Sequence, residues 1–449
     1  MAIGVVLFSR DLRVHDNPAL AAAAERFEQV VPLFVLDDRL LRSTNRTAFL
    51  LEALADLRES LGGKLVVRRG DAVEEILRLG AAAVFVAADS SAYARRRERR
   101  LREHLEVHVM PGPAIVPPGE VRPAGGDHYR VFTPYWKAWD SRPPRHLAEM
   151  PAEVRLPPGV EPGRLPTLSE LDQRAASPDL PRGGESAGRL RLSRFIETGL
   201  TTYDERRDRF VPESTSQLSP YLHFGCVSAV ELAHRVAGRV GAEVFLRQLC
   251  WRDFYLQLLA AHPDLPYADY RPRGDEWHED GEAFTAWCDG RTGYPIVDAA
   301  MRQLRLEGWM PGRARLLAAS FLVKDLRLDW RLGAAHFAEL LVDGDVASNS
   351  GNWQWVAGTG TDTRPNRVFN PVRQAMRFDP AGDYVRRYVP ELGSLPPKTI
   401  QQPWTLGVEA LARLGYPAPL VDHAEASAAF VGSRAGSRTS KAALGLAQS

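Results

Sequence analysis

The chain is short of lysine, cysteine and long apolar runs. Only five of its 57 basic residues are Lys. Cys226, Cys250 and Cys288 are odd in number, widely spaced and free of any CxxC pair. That excludes a zinc ribbon and a disulfide framework, and leaves each thiol as small apolar filler. No apolar run reaches the length that spans a bilayer, so a membrane partner is not expected. P-loop, internal repeat and G-x-G-x-x-G are all missing, so any dinucleotide is held without a Rossmann fingerprint. The N-terminus MAIGVVLFSRDLRVHDN lacks a basic n-region and meets charge at Arg10; it reads as a buried strand of a cytosolic protein. A net charge of +1 does not announce a nucleic-acid binder, although a near-neutral total is compatible with one basic face.

What is present is a soluble composition, 45% hydrophobic and 25% charged, over a 449-residue length that exceeds one ordinary core. Apolar runs at Ile3–Phe8, Val30–Leu36, Leu65–Val67, Ala83–Ala87 and Glu106–Val109 read as strands. The helical patterns between them, such as 46–61 and 91–104, complete a strand–helix alternation. That order predicts a doubly wound parallel α/β sheet over 1–132. The basic run Ala94–Arg102 is interleaved with Glu98 and bounded by Glu103, the pattern of a solvated helix face. Residues 133–188 turn to Pro, Gly and Ser and read as a long linker wrapped over the surface. They contain a G-x-S-x-G match at Gly184–Gly188, but its polar flanks lack the preceding strand that a nucleophile elbow needs. From 189 to 430 the periodicity is helical, with runs at 227–240, 243–262, 295–307, 311–328 and 333–342; the Ala/Ser/Gly-rich tail 431–449 reads as disordered.

Seven of the ten tryptophans fall between 251 and 355. An indole needs a partner for its N–H when buried, so this density beside acids and amides suggests a site built on aromatic rings. Asp343-Gly344-Asp345 is suited to capping a helix, or to holding a metal or a sugar and amide group; spacing alone favours the cap, and no further metal ligands cluster nearby. Trp353 and Trp355, two apart on a helix, point to opposite sides, one core and one half-exposed. Thr215–Ser219, followed by Pro220, supplies hydroxyls at a helix start, which suits either a phosphate or an ordinary cap. Arg313 and Arg315 face different environments. Arg364, Arg367, Arg373 and Arg377 alternate with apolar residues in a loop, as a phosphate-tracking or a solvated surface.

The segments LFSRDLRVHDNPAL (7–20), WRDFY (251–255), TGYPIVDAAMRQL (292–304), ASFLVKDL (319–326), DGD (343–345), NWQW (352–355) and YVPEL (388–392) together resemble the photolyase/cryptochrome family. The likeness is strongest to class I cyclobutane pyrimidine dimer photolyases of actinobacterial type. It implies an α/β domain, a linker and a helical FAD-binding domain. Tyr203, Thr215, Ser216, Gln217, Leu218 and Ser219 would hold FAD around its phosphates, with Phe245 and Arg252 lining the pocket. Arg315 and Asp343 would pair beside the isoalloxazine, with Gly344 and Asp345 close by and Asn349 near N5. Trp353, Trp330 and Trp277 match the family's electron-transfer chain. Gln248, Trp251, Tyr255, Gly312 and Trp355 would meet a flipped-out dimer, and Arg207, Arg313 and Arg367 the DNA backbone. The implied chemistry is light-driven electron donation from reduced FADH⁻ to UV-damaged DNA. The implied partners are DNA alone and no membrane, for a monomer in the bacterial cytoplasm, at the nucleoid when bound. An antenna chromophore is implied too, 8-hydroxy-5-deazaflavin ahead of methenyltetrahydrofolate; Asp38, Asp89 and Tyr93 lie near strand ends that bind ligands in such sheets, and suit a surface role equally.

Three departures from the family pattern stand out. Gln248 replaces a common glutamate, Phe245 a frequent Trp, and Pro311-Gly312 the usual His-Asn pair. The missing His argues against repair of (6-4) lesions. A blue-light sensor, or a photolyase for a different lesion, is the alternative; retention of Trp251 and Trp355 with a short tail favours repair over sensing.

Overall fold

The computed structural model describes residues 2–445, with side chains through Arg434. The apolar runs form five strands: β1 (Ile3–Leu7), β2 (Gln29–Leu36), β3 (Val66–Arg69), β4 (Ala83–Ala87) and β5 (Glu106–Met110). All neighbours are parallel, in the order β3-β2-β1-β4-β5. Parallel strands covered on both faces need continuous apolar sequence. Accordingly β4 is buried at every residue and β2 at all but Gln29. Val5, Val31, Val66 and Val84 form the centre of the sheet core. The connecting helices are α1 (Pro18–Arg26), α2 (Thr44–Ser60), α3 (Ala72–Arg78) and α4 (Ala92–Arg102). Each starts at a side-chain cap, respectively Asn17, Ser43, Asp71 and Ser91. Strand order reverses direction between β1 and β4, which is where open α/β sheets bind ligands.

The Pro/Gly/Ser-rich stretch runs as a linker held against the sheet domain. It opens with a helix, α5 (Phe132–Asp140), and is then pinned along its length. Arg145 pairs with Asp16, Arg155 O accepts from Val30 N, and Pro162 O accepts from Val67 N. Farther on, Ser177 bonds Asn45, and Gly183 N donates to Glu52. Loop backbone at a covered surface must find partners, and here the sheet domain supplies them. The G-x-S-x-G match forms the start of α6 (Glu185–Arg194), with Gly184 as N-cap and no strand before it.

The chain divides into two units that do not follow chain order. One contains everything up to Asp204, then Thr215–Pro263 and Glu339–Ser348. The other contains Glu205–Ser214, Asp264–Ala338 and the chain from Asn349 onward. In the first, the helix Ala242–Ala261 reproduces the 243–262 periodicity. In the second, Pro295–Glu307 falls where the pattern put it, whereas 311–328 is an α-helix only over Gly312–Ser320. It continues as a π-turn, Phe321–Asp325, a form of local insertion frequent at functional sites. Arg373 and Arg377 lie on the helix Pro371–Phe378 rather than in a loop. The tail, whose composition reads as disordered, is helical to Gly445. The remaining part of that tail, 446–449, lies outside the described residues. Among the described residues no helix is long and apolar enough to cross a membrane, and no cluster of His, Cys, Asp or Glu is placed to hold a metal.

Candidate active site

In the first unit the helix Ala242–Ala261 carries Phe245, Gln248, Trp251, Arg252 and Tyr255. Phe245 packs edge-on to Tyr203, with ring centroids 5.3 Å apart, and Phe195 joins both rings. Gln248 is half-buried. Trp251 lies face to face with Phe132, centroids 3.7 Å apart and planes 3° from parallel, and Tyr255 flanks it at 5.6 Å. One face of the Trp251 indole is thus occupied by the protein. Phe132 reaches it because Asp253, on the same helix, ties down α5. Asp253 Oδ2 accepts from Trp139 Nε1 at 2.9 Å and from the backbone N–H groups of Ile115 and Val116. Burial pushes the Asp253 carboxyl up to about 6; the Arg252 charge and these three donors hold it from rising further. Phe132 escaped the sequence reading because it falls at the junction of sheet domain and linker, where no periodicity marks it.

Arg252 spends its guanidinium on two carbonyls, Pro113 O at 2.6 Å and Leu222 O at 3.1 Å. With Arg10 and Arg13 it lines a small cleft that also includes Gly112, Gly225 and Ser228. Arg10 Nη2 donates to Asp345 Oδ2 at 2.6 Å, while Nη1 lies 3.9 Å from Asp89. Asp345 also serves as a helix cap: its Oδ1 accepts from Ser348 N at 2.8 Å. Burial alone pushes the Asp345 carboxyl up, but Arg10, His223 and Arg252 outweigh it and hold the group well below the usual carboxylate range. Burial and the neighbouring Arg10 in turn push the His223 imidazole down to about 3, so it is neutral near pH 7 and adds its charge beside Asp345 only in acid. Gly344 leaves room for Arg46, whose Nη1 a β-carbon would meet at 2.5 Å. Burial lowers the Arg46 guanidinium to about 10, with Asp343 opposing.

Thr215, Ser216 and Gln217 are half-buried, Leu218 is buried and Ser219 is exposed. Ser216 Oγ accepts from Leu218 N at 3.3 Å. Gln217 has φ +50°, unusual for a side-chain-bearing residue, and Leu218 follows in the right-handed region. Alternating handedness of this kind turns successive N–H groups toward one concave anion site. Of the three residues at strand ends, Asp89 stands beside Arg10, Tyr93 donates to Asp37 at 2.7 Å, and Asp38 pairs with Arg69.

In the second unit, Asn349 and Trp353 are four apart on the helix Val346–Ala357 and share a face. Asn349 Nδ2 donates to Ala334 O at 2.9 Å. Trp353 is 2% exposed, and its Nε1 finds no acceptor among the described residues. Its ring packs on Phe337 at 4.9 Å and Trp287 at 6.2 Å. Trp330 is fully buried and donates from Nε1 to Asp269 Oδ1 at 2.9 Å. Trp277 is half-buried in a loop. Trp355 is half-exposed, on the opposite side from Trp353, with the Arg367 guanidinium 5.8 Å from its ring. Arg367 itself is exposed and Arg207 half-buried. Arg313 pairs with Asp208 at 2.8 Å and covers Phe378, whereas Arg315 Nε donates to Met310 O. Gly312 is exposed and a β-carbon there would meet nothing within 4 Å. Sequence reading missed Asp269, Phe337 and Trp287, since a lone acid or one more aromatic in a helical run carries no distinguishing signal.

Residues 4–155 match the family model described as DNA photolyase, and residues 245–434 the model described as FAD binding domain of DNA photolyase. A deoxyribodipyrimidine photo-lyase of Streptomyces griseus is 51% identical over 450 residues, covering 96% of this chain and 98% of that protein. The crystal structure of a bacterial class III photolyase from Agrobacterium tumefaciens is 35% identical with a TM-score of 0.90, covering 98% of each chain. An archaeal photolyase from Sulfolobus tokodaii, crystallised with two FAD molecules, is 31% identical with a TM-score of 0.85, covering 98% of this chain and 100% of that one. With its parallel sheet domain, its tryptophan-rich helical region and this full-length likeness, the chain belongs to the photolyase/cryptochrome family.

Proposed function

We propose that this protein is a light-dependent DNA repair enzyme that splits cyclobutane pyrimidine dimers, with FAD as its cofactor. The full-length likeness to deoxyribodipyrimidine photo-lyases is the observation that carries this reading. When bound and reduced, FAD supplies the light-excited electron that opens the cyclobutane ring, and the protein supplies orientation and electrostatics.

The residues present fit such a cofactor. A buried indole N–H without an acceptor is costly, and the Nε1 of Trp353 is one that a bound ligand can satisfy. The Gln217–Leu218 turn and the Thr215 and Ser216 hydroxyls make a donor set suited to a diphosphate. Asn349, whose amide N–H is taken up by Ala334 O, would keep its amide oxygen as an acceptor for the flavin N5. Trp353, Trp330 and Trp277 relay electrons inward when the cofactor is oxidised.

Trp251 offers its uncovered face to a flipped pyrimidine, and stacking a base on an aromatic ring contributes about 1–3 kcal/mol. Gln248 donates to or accepts from a thymine edge but holds no proton to share with a developing anion. Trp355 and Arg367 serve the substrate and its backbone. For the antenna we favour an 8-hydroxy-5-deazaflavin where the strand order reverses; Arg10 and Asp89 there support a polar ligand. The deciding experiment is repair of an oligonucleotide bearing one thymine cyclobutane dimer, by the purified reduced protein under blue light and in the dark. Light-dependent recovery of two thymines is expected. Bound FAD without any repair would replace this reading with that of a light sensor or of a photolyase for a different lesion.

A further inference from the structure

Trp330 is held between a carboxylate and a guanidinium. It is fully buried, yet its indole Nε1 donates to a carboxylate, Asp269 Oδ1, at 2.9 Å. The Arg331 guanidinium lies 4.7 Å from the centroid of the same indole. Its Nη2 donates to that same Oδ1, also at 2.9 Å. Arg331 is fixed besides by Asp329, at 3.1 Å, and by the carbonyl of Tyr267, at 2.7 Å. One carboxylate oxygen therefore serves both the indole N–H and the cation beside the ring.

A carboxylate partner is not peculiar to Trp330, since Trp139 Nε1 donates to Asp253; what sets Trp330 apart is the cation beside its ring on the same oxygen. A backbone carbonyl is enough to satisfy a buried Trp N–H, as Ala318 O does for Trp287. A carboxylate at the N–H matters when the ring becomes positive. An indole that loses an electron is a cation, and its N–H becomes acidic. A negative charge at hydrogen-bond distance favours that oxidised state, and a positive charge over the ring opposes it. The two charges act on one ring in opposite senses.

We propose that Asp269 and Arg331 are the residues that tune Trp330 as an electron carrier. The inference rests on the electron-relay reading of Trp330 given above. Trp330 gives one electron to oxidised Trp353, and the oxidant that starts the relay is the light-excited oxidised flavin. The Asp269 carboxylate stabilises the resulting indole radical cation through the Nε1–H bond. Arg331, by occupying the same oxygen, lowers its basicity, so the proton stays on Nε1. An electron from Trp277 then restores neutral Trp330 with no net proton movement. Asp269 and Arg331 are positioning residues, since neither touches cofactor or DNA in this role.

The test is transient absorption of the FAD-loaded protein after a light flash, comparing Asp269→Asn, Arg331→Met and Trp330→Phe. Asp269→Asn keeps an acceptor oxygen and removes the charge. It is expected to cut the yield of long-lived tryptophan radical at least threefold, with FAD content unchanged and Asp269→Glu restoring part of the loss. Arg331→Met is expected to act in the opposite sense, raising the yield and changing the spectrum from the protonated to the deprotonated tryptophan radical. A purely structural pair would lower the yield in both variants, and that result overturns the proposal. If Trp330→Phe abolishes photoreduction while Asp269→Asn leaves it at the wild-type level, the relay stands and the tuning is refuted. If Trp330→Phe photoreduces normally, relay and tuning fall together.

Discussion

The Trp353 ring occupies the space that a side chain at position 333 would fill. A β-carbon on Gly333 would lie 2.6 Å from Trp353 Cζ3 and closer still to Cη2. Gly333→Ala is therefore expected to displace the indole and cost about 1–3 kcal/mol. Gly312→Ala, made in open space at a helix start, is the control and is expected to be neutral or slightly stabilising. Chemical denaturation of both variants checks the pair. Equal stability of the two would show that Trp353 is not confined by position 333.

Trp353→Phe is expected to abolish photoreduction of oxidised FAD while repair by pre-reduced protein is largely retained. Flash-induced flavin reduction and dimer repair, measured on one preparation, separate the two. Normal photoreduction in this variant refutes the assigned relay.

Asp345→Asn removes a buried charge that both pairs with Arg10 and caps a helix. Breaking such a pair leaves the arginine uncompensated and costs about 3–5 kcal/mol at neutral pH. The pH dependence has a definite sign. The folded carboxyl sits below its unfolded value of about 3.9. On acidification the unfolded chain binds the proton first, so this contribution is complete above about pH 4 and is lost as pH falls further. Urea unfolding of both proteins across that range is expected to show their difference shrinking in acid. A difference independent of pH would point to lost packing instead.

Phe132→Leu keeps apolar bulk and removes the ring that backs Trp251. Aromatic pairs add about 0.5–1.5 kcal/mol beyond burial, so a small loss of stability is expected. The larger expected effect is on dark affinity for dimer-containing DNA over undamaged DNA, because Trp251 would no longer be held in plane. Unchanged discrimination would mean that the stack does not orient the substrate.

Gln248→Glu restores a carboxyl to a half-buried position beside Trp251. It is expected to raise the repair yield per absorbed photon without changing dark binding. A yield that stays the same shows that this position does not limit the reaction.

The parts of this architecture readable from sequence are those with a short-range physical cause. Four of the five strands start within one residue of their apolar runs and end within one; in β1, β2 and β4 burial on both faces admits little else. Asp345 was readable as a cap, since Asp before a helix has one dominant use. Its second bond, to Arg10, lies 335 residues away and leaves no local trace. The 133–188 segment was readable as a linker over the surface from its Pro and Gly, but its anchors Asn45, Glu52 and Asp16 are distant in sequence and leave no local trace. The opposite sides of Trp353 and Trp355 followed from helical geometry alone, whereas Phe132, Asp269 and Gly333 depend on which elements meet, and one sequence does not encode that locally.

The ten residues Glu339–Ser348 belong with the sheet domain, and that has a bearing on how the chain acquires its structure. The first turn of α2 is tied to this segment by Ser43 bonding Glu339 O, Asn45 bonding Leu340 O and Arg46 bonding Leu341 O. Such contacts have very high contact order, and their loop closure slows folding. During synthesis the five strands leave the ribosome long before the residues that complete their surroundings. The nascent sheet must wait with α2 and Arg10 unpartnered on that side, a stage at which larger proteins are prone to misassemble. A gene fragment ending near residue 132 would make that waiting state permanent, and such a truncation is a poor vehicle for studying the sheet domain alone.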